Sequence, residues 1–215
     1  MIRAVKIRLY PNATQATQIN KLLGCYRVVY NQCLARKIKS YEENKISENQ
    51  TTLGHFIHHE LLKDDNFYWL REQNTKVLKQ SVIDMLNAYK NFFERHTGYP
   101  KFKSKKNNTQ SCRFEIGAIS KRNIYTNYKL SLANIKYIKF KCSKKYAEYL
   151  QKNKENIKSA TLKRLPCGEY YLSILVDGDL THKVKESNNT IGIDLGIKDF
   201  VITSEYEVFG NLHFN

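Results

Sequence analysis

The sequence predicts an α+β protein: a small β-barrel with a helical bundle inserted after its first strand, followed by a separate short β module. Three observations predict it. An alternating strand opens the chain, three stretches with helical apolar spacing follow, and after Pro100 the texture changes to short β-type runs divided by turns.

The first strand is set by Val5, Ile7 and Leu9 alternating with Lys6, Arg8 and Tyr10, the period of a half-buried strand. Pro11-Asn12 ends it, and Asn12 or Thr14 is placed to cap a helix. Ile19, Leu22, Leu23, Tyr26, Val29, Tyr30, Cys33, Leu34, Ile38 and Tyr41 then follow helical spacing, up to the polar stretch from Glu42 to Gln50. A short helix around Leu53 to Leu62 comes next. A third, marked by Val77, Leu78, Val82, Met85, Leu86, Tyr89, Phe92 and Phe93, is stopped by Gly98 and Pro100. These apolar faces are buried only against one another, so residues 14 to 96 read as a bundle. β-type runs follow at Cys112–Ile116, Asn123–Tyr125, Lys129–Leu132, Ile135–Lys141, Ser159–Leu165 and Tyr170–Val176, with Asn-Tyr and Pro-Cys-Gly turns among them. That number of short strands suggests a barrel, to which the first strand also belongs. A polar linker from Lys183 to Thr190 leads to the last module.

The charge is unusual. Thirty-six Lys and Arg against 20 Asp and Glu leave the 215 residues at +16. Residues 101 to 170 alone hold 18 basic and 4 acidic side chains, whereas residues 171 to 215 hold 3 and 7. A clustered surplus of this size points to a polyanion, because each phosphate contact releases condensed counterions. No window is apolar enough to span a bilayer, and no basic amphipathic helix favours a membrane surface, so no membrane partner is expected. Five cysteines (Cys25, Cys33, Cys112, Cys142, Cys167), with no CxxC pair, read as free thiols in a reducing cytoplasm and exclude a zinc ribbon within these residues.

Candidate binding groups lie in several places. Tyr99, Lys101, Phe102, Lys103, Lys105 and Lys106 interleave aromatics with cations, the composition of an RNA grip or else of a solvated basic loop. Many of the 15 tyrosines suit core packing or base stacking. His55 and His59 stand one turn apart beside His58, but zinc needs a third ligand, and a surface histidine cluster is the simpler reading. In the last module Ile191, Ile193 and Leu195 are expected to face a core, with Gly192, Asp194 and Gly196 opposite. A carboxylate between two glycines lies in an open trough that a phosphate and a Mg²⁺ ion can approach. Asp199, Glu205 and Glu207 read as turn residues.

The chain resembles the TnpB family, transposon-encoded RNA-guided nucleases also known as OrfB-type transposases. The resemblance rests on blocks in family order: Ala4-Val-Lys-Ile-Arg-Leu-Tyr-Pro-Asn12, Tyr26-Arg-Val-Val-Tyr-Asn-Gln-Cys-Leu34, Gln80 to Phe93, Gly98-Tyr-Pro-Lys-Phe-Lys-Ser-Lys105, and Ile191-Gly-Ile-Asp-Leu-Gly-Ile-Lys-Asp-Phe200. It implies a wedge-like β-barrel from residues 1–11 and 99–186, a helical recognition insertion of the helix-turn-helix kind over 12–98, and the start of a RuvC/RNase H-like nuclease domain over 187–215. Guide RNA and single- and double-stranded DNA are the implied partners, and the cytoplasm the implied location. Lys76 and Gln80 match a Lys-x-x-x-Gln pair that contacts DNA in the family; here they read equally as a solvated polar stripe. Asp194 matches the first of three RuvC carboxylates that hold Mg²⁺. The family's other two carboxylates lie beyond residue 215, so the expectation is a truncated protein that binds RNA and DNA but does not cut, because one carboxylate does not hold a two-metal site. Two alternatives stand beside it: one part of an active nuclease completed in trans or by a frameshift, and a guide-independent DNA-binding repressor.

Overall fold

The computed structural model describes residues 1–106, 109–115, 119, 128–178, 190–196 and 199–210. It forms two compact units, 1–179 and 180–215. The first unit opens with β1 (Ile2–Tyr10), whose Val5, Ile7 and Leu9 are buried. Asn12 then caps α1 (Ala13–Asn44). Its side chain accepts from the Gln15 N–H at 2.8 Å, while the Gln15 side chain accepts from the Asn12 N–H at 3.0 Å. The reciprocal cap starts a helix that runs unbroken for 32 residues.

Three further helical pieces fold back onto α1. These are α2 (Gln50–Phe56), extended by a π-helical turn over Ile57–Leu61, a 3₁₀ segment over Asp65–Glu72, and α3 (Thr75–Arg95). Val29, Cys33, Leu34, Leu53, Leu78 and Met85 meet in one buried cluster. Burial pushes the Cys33 thiol up to about 12 and Cys25 to about 11, so both act as small apolar core groups.

The rest of the unit is a six-stranded antiparallel sheet of β1 with β2 (Gln110–Glu115), β3 (Lys129–Leu132), β4 (Ile135–Lys141), β5 (Ile157–Arg164) and β6 (Tyr170–Asp177). The order is β2-β5-β6-β1-β4-β3, so the first strand lies inside the sheet and the helices form an excursion between β1 and β2. The predicted small barrel is present in part, as a curled six-stranded sheet of half-barrel form. Among the described residues β2 and β3 do not pair, and a single bridge, Ile119 to Leu132, ties the two edges. The expected run Asn123–Tyr125 lies outside the described residues.

One element has no counterpart in the sequence reading. Ser143 caps α4 (Lys144–Lys152), which buries only Tyr149 and Leu150. The Pro-Cys-Gly turn does join β5 to β6. Gly168 takes φ +84°, a conformation costly for any side chain, and its N–H donates to the Leu165 carbonyl at 3.0 Å.

The second unit is a three-stranded antiparallel sheet, β7 (Ile193–Asp194), β8 (Asp199–Thr203) and β9 (Val208–Gly210). The expectation that Ile191, Ile193 and Leu195 face a core is not met, since all three are exposed. Three short strands provide too little apolar surface to bury them.

Candidate nucleic-acid interface

Alternation along each strand sends apolar side chains to one face of the six-stranded sheet and polar ones to the other. Register then decides which polar groups become neighbours. Arg8 lies opposite Lys141 on β4 and Tyr171 on β6, Tyr171 lies opposite Lys163 on β5, and Lys163 lies opposite Ser111 on β2. The result is one row, Lys141–Arg8–Tyr171–Lys163–Ser111, crossing five strands. Four inter-strand spacings make it about 19 Å wide. Beside it runs Lys6–Ser173–Thr161–Arg113, and at the β3 end Lys129–Lys139–Tyr10. The face therefore gathers seven cations and two tyrosines from residues 6 to 173.

The tyrosines hold the cations in place. The Lys6 ammonium sits 4.5 Å from the Tyr171 ring centre, and the Arg8 guanidinium 5.1 Å from that of Tyr10. Glu169 is an acidic partner on this surface; it pairs with Arg8 and accepts the Tyr171 hydroxyl at 2.8 Å. That hydrogen bond also keeps Tyr171 protonated, raising its pKa. The strand ladder fixes the backbone positions from which these side chains project. A phosphate backbone crossing it would meet several cations at once.

The residues predicted to grip RNA separate into two sets. Lys101, Phe102, Lys105 and Lys106 are exposed, as a grip requires. Lys103 is half-buried and points inward. Its N–H donates to Asn31 Oδ1 at 2.8 Å, and its carbonyl accepts from Asn31 Nδ2 at 2.9 Å. Its ammonium rests 4.1 Å from the Tyr30 ring centre, and burial lowers its pKa against the pull of Asp84. Asp84 in turn accepts the Tyr26 hydroxyl at 2.6 Å. Lys103 thus clamps the basic segment to α1. Tyr99 is half-exposed, with its hydroxyl 2.8 Å from that of Tyr89.

On α3 the Lys76 side chain is exposed, whereas Gln80 is buried to 3% and its Oε1 has no hydrogen-bond partner. Their four-residue spacing is as read, but they do not share an open face. The His55 and His59 rings stack at 4.1 Å, and His58 lies with them in a groove completed by Lys79.

Asp194 stands exposed in β7, opposite Ile202. Gly196 has a local reason for being glycine: a Cβ there would fall 2.8 Å from the Asp199 carbonyl oxygen. That close approach of the Asp199 backbone accounts for the glycine without a ligand.

The sheet-face cations went unnoticed because charge was read along the chain. Lys6 and Arg8 lie far in sequence from Lys141 and Lys163, and only the central position of β1 brings them together. The available signal was the polar half of the first strand's alternation, Lys6, Arg8 and Tyr10.

Comparison with known proteins follows the same outline. A family model described as a helix-turn-helix domain, of the OrfB/IS605 group, matches residues 1–45, which here comprise β1 and α1. "Putative RNA-guided DNA endonuclease InsQ" of Escherichia coli K12 is 25% identical over 97% of the chain and 48% of its own length. A "Putative RNA-guided DNA endonuclease" of Streptomyces pristinaespiralis is 27% identical over 97% of the chain and 50% of its own length. The chain is therefore similar to TnpB/OrfB-type proteins. It spans about half the length of these curated relatives. "Virulence protein VsdF" of Salmonella dublin shares 29% identity over 49% of the chain and 95% of its own length. A Cas12f1–sgRNA–target DNA complex aligns over the whole chain with a TM-score of 0.40 and 14% identity.

Asp194 is the residue that the TnpB resemblance assigns to magnesium. Among the described residues no three His, Cys, Asp or Glu side chains converge to hold a metal ion. No helix among them is long and apolar enough to cross a membrane.

Proposed function

We propose that this TnpB-like chain binds guide RNA on the outer face of its six-stranded sheet, and DNA through its helical unit, and that it does not itself hydrolyse DNA. The observation that carries the reading is the row Lys141–Arg8–Tyr171–Lys163–Ser111. Three cations and an aromatic ring at fixed strand spacing suit a folded RNA, recognised by its backbone and by exposed bases. Exposed Lys101, Phe102, Lys105 and Lys106 extend this surface, and the names of the Escherichia and Streptomyces relatives support an RNA-guided role. On the helical unit, exposed Lys76 suits a phosphate or base edge of DNA. The reading on hydrolysis is supported by the exposed, isolated position of Asp194, since two-metal chemistry needs several carboxylates around one cation pair.

The test is binding of RNA transcribed from the DNA flanking the gene, measured over a range of salt concentrations. The double variant Lys141→Gln, Lys163→Gln should reduce the slope of log affinity against log salt by about two, roughly one per lost phosphate contact. A wild-type protein with no salt-sensitive RNA affinity would sink the proposal.

A further inference from the structure

We infer that a pocket between the end of α1 and the end of α3 takes a single unstacked nucleobase, with preference for a base bearing an exocyclic amino group. The inference rests on the nucleic-acid-binding reading above and adds a site that reading does not use. The cavity is about 330 Å³ and is lined by Tyr41, Glu42, Ser47, Tyr89, Phe93 and Tyr99, among others. That lies at the small end of ligand-sized cavities, suited to a flat heterocycle rather than to a helix or strand.

Three of its aromatic side chains are left largely to solvent: Phe93 is 71% exposed, Tyr41 55% and Tyr99 47%. Scattered exposed rings are ordinary on a protein surface, but several converging on one cavity mark a binding site. They are also held in position. Tyr99 meets Tyr89 and Phe92 edge to face, each at 5.4 Å, and the Tyr89 and Tyr99 hydroxyls are bonded. At the floor, Lys37 donates to Ser47 Oγ at 2.9 Å and lies 5.2 Å from the Tyr89 ring centre.

The surroundings favour a nucleotide over an apolar protein segment. Lys45 sits 5.5 Å from the Tyr41 ring centre, a cation beside the pocket that can meet the phosphate of a nucleotide bound in it. Base–aromatic stacking itself tolerates any base. Selectivity comes from Glu42, an acceptor-only carboxylate on the wall. It accepts from the amino group of cytosine or adenine and repels the carbonyl oxygen that uracil presents at the same position.

The experiment compares single-stranded RNAs of about ten nucleotides, the scale of one single-strand site, composed of cytidine or of uridine. Affinity is measured for the wild type, Phe93→Ala, Glu42→Ala and the control Tyr68→Ala, an exposed ring outside the pocket. Phe93→Ala should weaken cytidine binding roughly 5- to 100-fold, the effect of losing one stacked base. Glu42→Ala should abolish the preference for cytidine over uridine, and Tyr68→Ala should change neither value by more than about twofold. Because Phe93 is mostly exposed, its loss leaves the fold intact, checked by an unchanged melting temperature. Normal RNA binding that Phe93→Ala leaves unaltered overturns the pocket alone and leaves its rings to a protein side chain. Failure of the wild type to bind either short RNA overturns the pocket, and the salt titration with the folded RNA decides separately whether the function it rests on also fails.

Discussion

At the scale of single residues, Asn31 shows how one side chain places a functional segment. Its amide completes both backbone hydrogen bonds of Lys103, as a neighbouring strand would. Asn31→Ala leaves that N–H and C=O without partners in a partly buried place, an expected cost of about 1–3 kcal/mol in urea unfolding. RNA affinity should fall as well, because Lys101, Lys105 and Lys106 lose their anchor. Nothing in the sequence marked Asn31, since an asparagine inside an amphipathic helix has the look of any solvated polar residue. Lys103 was legible as basic but not as buried, because burial depends on Tyr26, Tyr30 and Asp84 arriving from two other helices.

His58 permits a prediction with a definite sign. Burial, with help from the Lys79 and His59 charges, holds its folded pKa below the ordinary 6.5. The unfolded chain therefore takes up the proton more readily. The stability this provides is fully present above pH 6.5 and is lost as pH falls through the lowered folded value. His58→Gln should flatten the stability–pH profile in that window, as read by melting temperature at pH 7.5 and 5.5. An equally steep profile in the variant would rule His58 out as the cause.

At the scale of elements, the sheet face sets function against stability. Lys141 and Arg8 lie directly opposite each other across β4 and β1, as Lys129 and Lys139 do across β3 and β4. Like charges in such positions repel, by about 0.2–1 kcal/mol per pair. Lys141→Gln is therefore expected to raise stability by about that amount while weakening RNA binding. A variant that loses stability would show that the ammonium has a structural partner instead. Element by element, β1, α1, α3, β3, β4 and β6 were readable because each buries a full apolar stripe with its own period. The helix α4 was not. Tyr149 and Leu150 are its whole buried face, too few to define a period, and its start depends on the Ser143 cap. The degree to which the barrel closes was equally hidden, since whether two edge strands pair is settled by curl and not by composition.

At the scale of the whole molecule, the cations proposed to bind RNA and the carboxylate Asp194 are different residues, so binding and hydrolysis are tested separately. Asp194→Ala is expected to leave RNA affinity within about twofold, as for an exposed residue that is not one of the cations proposed to bind. With RNA, Mg²⁺ and target duplex supplied, neither wild type nor variant should cleave. Asp194-dependent products from this chain alone would reverse that conclusion. The α+β architecture with its helical excursion was legible because periodicity switches sharply at Pro11 and Pro100. The shared surface was not, because it is assembled from strands lying at opposite ends of the first unit.

The interior position of β1 also governs the order in which the molecule can be made. Ile2 pairs with Asp177 and Leu9 with Tyr170, so the first strand synthesised has no complete partner until more than 160 further residues have left the ribosome. At 5–20 residues per second that wait is roughly 10–30 s. The helical unit, whose contacts are local, has ample time to fold meanwhile. The sheet should therefore form late, around a helical body already in place, with β6 as the strand whose arrival converts a tethered ribbon into a folded protein.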